Sequence, residues 1–264
     1  MGRLEDMILS HSRRGMDQLT DLLPADFCTQ ASEFVLGWPR GRVLLVTGFY
    51  VNGQGETDGP PGTKLLDDAL LKLGFSPLVV TDPFCAAYFT TARVPFVTFG
   101  LEAGEGELRV LLDREKPVGL ISTERCGRAA DGRYINARGK DIRELTAPLD
   151  GLFLLSDAPS VGIGDGGNEI GMGNLAEDIQ ARLDRVPCAV RTDRLIIATV
   201  SNWGALGLCG ALGQLPTEAA LLSAYELCPQ GGLVDGITGA PAMTEDGFPL
   251  DYVLKLRRDL EALA

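Results

Sequence analysis

Residues 160–173 read SVGIGDGGNEIGMG, and the rest of the chain is read outward from them. Val161 and Ile163 have the character of a buried strand. Six glycines then crowd together with Asp165, Asn168 and Glu169. The run that follows, NLAEDIQARLDR at 174–185, has the spacing of a helix. The order is therefore strand, glycine-rich turn, helix. Glycine is needed where φ is positive or where another group must approach the backbone closely. A helix N-terminus adds unpaired N–H groups that favour an anion. Asp165 and Glu169 stand at the mouth of this turn, where two carboxylates beside N–H groups suit a cation together with an anionic substrate. Gly162, Gly164 and Gly167 also satisfy G-x-G-x-x-G, a weak signal taken alone. A dinucleotide site needs an acidic residue at the end of the next strand. Asp184 falls in the helix instead, which argues against that reading.

Apolar runs elsewhere fix the fold class. RVLLVTG at 42–48, PLVVT at 77–81, VPFVTF at 94–99, PVGLIS at 117–122 and RLIIATV at 194–200 are short, largely unbroken and bounded by turn residues. Strands of this kind are buried on both faces. Helix-like runs alternate with them at 64–73, 148–157 and 201–213, and two more follow at 219–227 and 248–263. The pattern predicts an α/β fold, a doubly wound and mostly parallel sheet with helices on both faces. One domain spans 1–264, with a helical extension over about the first 40 residues. Within it, 1–23 reads as one amphipathic helix and 25–41 as irregular. Residues 104–115 are mixed.

The 264 residues carry a formal net charge of −12, which argues against nucleic acid and anionic membranes as partners. No run approaches the length of a membrane span or of a signal peptide core, so a cytoplasmic protein is expected. The six cysteines form no C-x-x-C pair and are expected as reduced, buried thiols, with Cys126 as an exposed exception. The single histidine, His11, leaves little room for a Ser-His-Asp triad or a histidine-rich zinc site. A metal would be held by oxygen ligands, which points to Mn²⁺ or Mg²⁺.

Two loops share the chemistry. The loop at 49–63 follows a strand and carries Glu56, Thr57 and Asp58, the position of a ligand-binding loop. The polar stretch at 123–146 follows another strand directly. Its Arg125 and Arg128 are placed to clamp a carboxylate through paired N–H bonds. Asn202, just beyond the last strand, either caps the next helix or touches ligand.

Seven segments occur in a telling order: LVTGF at 45–49, ETDGPPG at 56–62, ERCGRAADGRYIN at 124–136, DIRELTAPLD at 141–150, IGDGGNEIGMG at 163–173, SNWGA at 201–205 and VDGITG at 234–239. Together they resemble the D-glutamate cyclase-like C-terminal domain family over roughly residues 40–255. The resemblance implies a lyase that cyclises D-glutamate to 5-oxo-D-proline with loss of water, and Mn²⁺ as its metal. Such chemistry needs a polarised carboxylate, a fixed partner for the other carboxylate and a proton carrier. On these residues, Asp165 and Glu169 bind the metal with Asp58, and Asp165 counts as catalytic. Arg125 or Arg128 binds a substrate carboxylate, and Glu124 or Asp131 transfers protons. Thr57, Asn168 and Asn202 line the substrate, while backbone N–H groups at Gly166 and Gly167 receive developing negative charge. The competing expectation is a non-catalytic module for a nucleotide or an acidic metabolite. Phosphoryl transfer at an Asp–Mg²⁺ site is disfavoured, because no G-x-x-x-x-G-K-[ST] is present. The small-residue helix at 203–213 and the terminal helix leave room for a homo-oligomer.

Overall fold

The computed structural model describes residues 3–263. The chain opens with helix α1 (Arg3–Ile8), a 3-10 segment (Met16–Leu22) and helix α2 (Phe27–Leu36). Strand β1 (Arg42–Thr47) leads into a small hairpin of β2 (Tyr50–Val51) and β3 (Gln54–Gly55), then α3 (Pro60–Lys72). Next come β4 (Ser76–Thr81), α4 (Ala86–Ala92), β5 (Phe96–Thr98), α5 (Glu105–Glu115) and β6 (Gly119–Thr123). The second half holds α6 (Gly151–Leu155), β7 (Ser160–Gly164), α7 (Ala176–Leu183), β8 (Arg194–Ile197), α8 (Ser201–Ala211) and α9 (Glu218–Gln230). A hairpin of β9 (Thr244–Glu245) and β10 (Phe248–Pro249) precedes the last helix, α10 (Leu250–Glu261).

The central sheet has six strands in the order β5-β4-β1-β6-β7-β8, and every pairing in it is parallel. The chain winds outward from β1 in one direction and then from β6 in the other, the doubly wound arrangement expected. Alternation along β1 shows why the run is apolar throughout. Val43 and Leu45 face the larger core, which includes α2, α3, α8 and α10. Leu44 and Val46 face the smaller core with Leu108, Leu111 and Leu152 from α5 and α6. The direction of winding reverses between β1 and β6, and ligands in open α/β sheets bind beyond the strand ends at such a point. Thr47 pairs with Thr123 at those ends. The loop with Glu56 leaves one strand and Glu124 follows the other.

Several boundaries differ from the sequence reading. Residues 1–23 are not one helix: His11 and Gly15 take positive φ, 63° and 81°, and split the segment in two. Beyond the break Arg14 reaches inward to Asp165 and Asp246, while Arg13 stays exposed. Residues 25–41 contain α2, whose Phe27, Ala31 and Val35 are buried on one face. The 104–115 stretch is the helix α5. The helix expected at 174–185 begins as a 3-10 turn, Met172–Leu175, before α7. Pro60 starts α3, four residues ahead of the expected Lys64, because proline's fixed φ suits the first helical position. Ile8, Leu9, Met16 and Leu19 lie in the main core, so the N-terminal segment is part of the domain's packing.

Candidate functional site

Six carboxylates converge beyond the ends of β1, β6 and β7: Glu56, Asp58, Glu124, Asp165, Glu169 and Asp246, all buried. Asp165 directly follows β7, and its side chain is fully buried. Its Oδ1 accepts from Arg14, while Oδ2 has no hydrogen-bond partner. Asp246 repeats this pattern. Its Oδ1 accepts from Arg14 Nη2 at 2.7 Å, and Oδ2 is again without a partner. Arg14 reaches the cluster from the N-terminal segment with its side chain only 19% exposed.

The other acids are held by the backbone. Glu169 turns back on its own turn, where its two oxygens accept from Gly166 N–H at 3.0 Å and Gly167 N–H at 2.8 Å. Gly167 has φ +102°, and a Cβ on Gly166 would stand 2.7 Å from the Glu169 carboxylate. The glycine density thus serves to wrap backbone around a carboxylate. Asp58 sits at the N-terminus of α8, accepting from Ser201 N–H at 2.9 Å and Asn202 N–H at 2.7 Å. Glu124, at φ 46°, accepts from Ser201 Oγ at 2.5 Å.

Asn202 ties the surrounding loops together. Its Oδ1 accepts from Gly59 and Gly62 N–H, and its Nδ2 donates to Thr57 C=O and Glu245. Glu245 also accepts from Trp203 Nε1 and Tyr225 OH, each at 2.6 Å. A Cβ on Gly62 would meet Asn202 Oδ1 at 2.7 Å, so glycine is what lets α3 approach α8 here. Asn202→Ala removes four buried hydrogen bonds, three of them to backbone groups. It is expected to cost about 3 kcal/mol, a few times the loss of one buried hydrogen bond. Urea unfolding checks this; a loss below about 1 kcal/mol would show that the lattice is redundant.

Burial, reinforced by neighbouring carboxylates, pushes Glu56, Asp58 and Glu124 well above the usual carboxylate range. Burial also raises Asp165 and Glu169, against the opposing charge of Arg14. Asp246 is raised to about 7 by burial, again opposed by Arg14. Burial works against the charge of Arg14 too, but Asp165 and Asp246 overcome it and keep the guanidinium protonated. One arginine thus faces six acids.

Two sets of oxygens in this cluster have metal-ligand spacing. In one, Asp58, Asp165 and Asp246 bring ligand atoms within 4.8 Å of one another; in the other, Glu124, Asp165 and Glu169 do so. All donors are hard oxygens, and two of the residues carry unpartnered buried oxygens, so the residues present fit a divalent cation of the Mg²⁺ or Mn²⁺ type. Above the cluster lies a cavity of about 210 Å³ lined by Arg14, Tyr50, Glu56, Glu124, Arg138, Lys140, Asn168 and Glu169 among others.

Several sequence-predicted residues stand elsewhere or are already engaged. Asp131 is half exposed and paired with Arg133, outside the cavity lining. Arg125 is fully buried; the two terminal nitrogens of its guanidinium are engaged by Asp82 and by the carbonyls of Gly48 and Ala147, and Nε has no partner. Arg128 is bound to Asp150, which also accepts from Tyr134 OH. Each arginine already holds an aspartate, and neither lines the cavity. The Gly166 and Gly167 N–H groups are taken by Glu169, which also closes the dinucleotide reading of the turn. Thr57 is buried, with its hydroxyl unpartnered. Asn168 borders the cavity, whereas Asn202 is occupied by the lattice described above. Cys126 is buried like the other five cysteines, and burial pushes its thiol up, contrary to the expected exception. Arg14, Asp246 and Glu245 were missed, and Glu56 was seen only as a loop residue.

A family model for "D-glutamate cyclase-like, C-terminal" matches residues 4–261. The chain is also similar to "D-glutamate cyclase, mitochondrial" of Homo sapiens, 35% identical over 198 residues. That alignment covers 64% of this chain and 32% of the human protein, so the chain corresponds to about a third of its relative. No helix among the described residues is long and apolar enough to cross a membrane.

Proposed function

We propose, since the chain belongs to the D-glutamate cyclase-like, C-terminal family, that it cyclises D-glutamate to 5-oxo-D-proline with loss of water, with Mn²⁺ or Mg²⁺ at the buried cluster. The observation that carries this reading is six buried carboxylates sharing one arginine at the switch point of the sheet. When bound, the cation polarises the carboxylate under attack. Asp58, Glu124, Asp165, Glu169 and Asp246 are the residues that would hold it.

Ring closure forms a bond between the amine nitrogen and the γ-carboxyl carbon, and one carboxyl oxygen departs. The ammonium gives up two protons in all, and the departing oxygen takes two to leave as water. A group that accepts and returns a proton is therefore required. We assign this to Glu56, which faces the cavity, lies outside both metal-spaced sets and is raised well above the usual carboxylate range by burial. Glu124 moves from proton carrier to ligand, because its oxygen stands within metal-ligand spacing of Asp165 and Glu169.

The substrate's α-carboxylate needs a cation other than Arg125 or Arg128. Arg138 and Lys140 line the same cavity. Both are exposed side chains at the tip of a turn that Asn136 organises, its Oδ1 accepting from the N–H groups of residues 138 and 140. Arg138→Gln and Lys140→Gln are each expected to raise KM about tenfold with kcat little changed, the size of a lost charge-assisted bond of about 1.4 kcal/mol. Steady-state kinetics checks this. An unchanged KM in the double variant would remove both from substrate binding.

The reading as a whole is tested by a chiral assay for 5-oxoproline, using D- or L-glutamate with Mn²⁺ or with EDTA. Product from D-glutamate alone, and only with metal, is the expected result. Binding of D-glutamate without turnover would make the chain a metabolite-binding module. The six buried thiols suit a reducing cytoplasm as its place of action.

A further inference from the structure

We infer that the cluster holds two divalent cations, bridged by Asp165. This rests on the metal-dependent reading above and extends it from one ion to two. Asp165 alone belongs to both metal-spaced sets, Asp58–Asp165–Asp246 and Glu124–Asp165–Glu169. The three ligands expected from sequence, Asp58, Asp165 and Glu169, do not form a single set. They fall on the two sides of the bridge.

An independent observation points the same way. Asp165 Oδ2 and Asp246 Oδ2 are both buried without a partner, although Arg14 already engages the other oxygen of each. The guanidinium therefore leaves one acceptor per carboxylate for something else positive. On the far side of the bridge, Glu169 is held in place by two backbone N–H groups and Glu124 by Ser201. Such outer contacts fix carboxylates as ligands without exhausting their lone pairs.

The composition of the cluster suits two ions as well: six buried carboxylates face one largely buried arginine, and buried charge left unpaired is costly.

The test uses the chain of residues 1–264, stripped of metal and then dialysed to equilibrium against Mn²⁺, with bound manganese measured and its EPR spectrum recorded. Two ions per chain are expected. Ions sharing a carboxylate in two-metal sites stand about 3.5–4 Å apart, close enough to couple magnetically, so the six-line signal of isolated Mn²⁺ should be lost. Asp246→Asn should bind one ion and restore the six-line signal. Asp58→Asn serves if that variant fails to fold. One ion per chain at saturation, or two uncoupled ions that persist in both variants, would overturn the two-ion centre. It would leave the cyclase reading intact if turnover depends on metal. Two coupled ions without turnover would uphold the centre and remove the cyclase reading. No bound manganese would remove the centre and the metal dependence together.

Discussion

Asp165→Asn is expected to lower turnover of D-glutamate at least about a thousandfold, because a cation that polarises the reacting carboxylate contributes several kcal/mol and each 1.4 kcal/mol is tenfold. Asp165 follows β7 directly and is the residue common to both metal-spaced sets. An amide at this place loses the charge and half the acceptor capacity that a cation needs. The fold should survive. Arg14 keeps its bond to Asp246 at 2.7 Å, and the new NH₂ group is placed to serve Asp246 Oδ2, which has no partner now. Removing one charge from a cluster of like charges also relieves repulsion. The metal-free variant should therefore melt no lower than the parent. Kinetics, manganese binding and thermal melting together check this. Asp131→Asn is the matched control, since that carboxylate is 50% exposed and paired with Arg133; its turnover should stay within about twofold. Near-parental turnover in the Asp165 variant would remove this residue from the chemistry.

The contrast between these two aspartates shows what the sequence makes legible. Strand ends were readable, because runs such as 42–48 and 117–122 are apolar on both faces and must lie inside a sheet. Asp165, Glu124 and the loop of Asp58 stand out by their position immediately after such runs, and all three carboxylates are buried. Asp131 was chosen on the same ground, but it lies further along the stretch that follows β6, where an arginine two residues away claims it. Arg125 stands just past β6, as its sequence position implies, but with a partner of its own. A guanidinium just past a buried strand reads as ready for a ligand, but Asp82, 43 residues earlier, already holds it. No local pattern announces such a pair.

The rest of the acidic cluster is hidden from the sequence for the same reason. Arg14 lies 151 residues from Asp165 and resembles the polar face of a surface helix until His11 and Gly15 break that helix. Asp246 occupies a left-handed position in the tight turn between β9 and β10, where aspartate is ordinarily explained by turn geometry. The glycine-rich turn follows β7 as its pattern implies, but its N–H groups have a partner within the turn. By pattern these N–H groups await a substrate anion; in the structure they serve the carboxylate of Glu169. Glycine shows that backbone approaches something closely, without showing what.

Metal-free protein is expected to become less stable as pH rises from 5 to 8, and Mn²⁺ is expected to reverse this. Asp246 is raised to about 7 and Glu245 to about 7, both by burial first. Asp67 is raised to about 6 by burial. Glu56, Asp58 and Glu124 move in the same direction. Below about pH 4 these groups are protonated whether the chain is folded or not, and they cost nothing. Between about 4 and 7 the unfolded chain releases protons that the folded chain retains. The unfolded state then binds fewer protons, so stability falls as pH rises. For Asp67, Glu245 and Asp246 the penalty is complete above about 7, while Glu56, Asp58 and Glu124 add to it in the same direction. Ordinary acid denaturation runs the opposite way, which makes the direction diagnostic. A cation competes with these protons, so its contribution grows as they leave. At about a hundred times its dissociation constant it adds about 2.7 kcal/mol, or about 5–10 °C in melting temperature for a chain of this size. The shift should be near its full value at pH 8 and almost absent at pH 5. Thermal melts across that range, with Mn²⁺ and with EDTA, measure both effects. If the EDTA-treated protein is more stable at pH 8 than at pH 5, the six acids are already compensated within the chain. The cluster would then be a structural network anchored on Arg14, with no need of a metal.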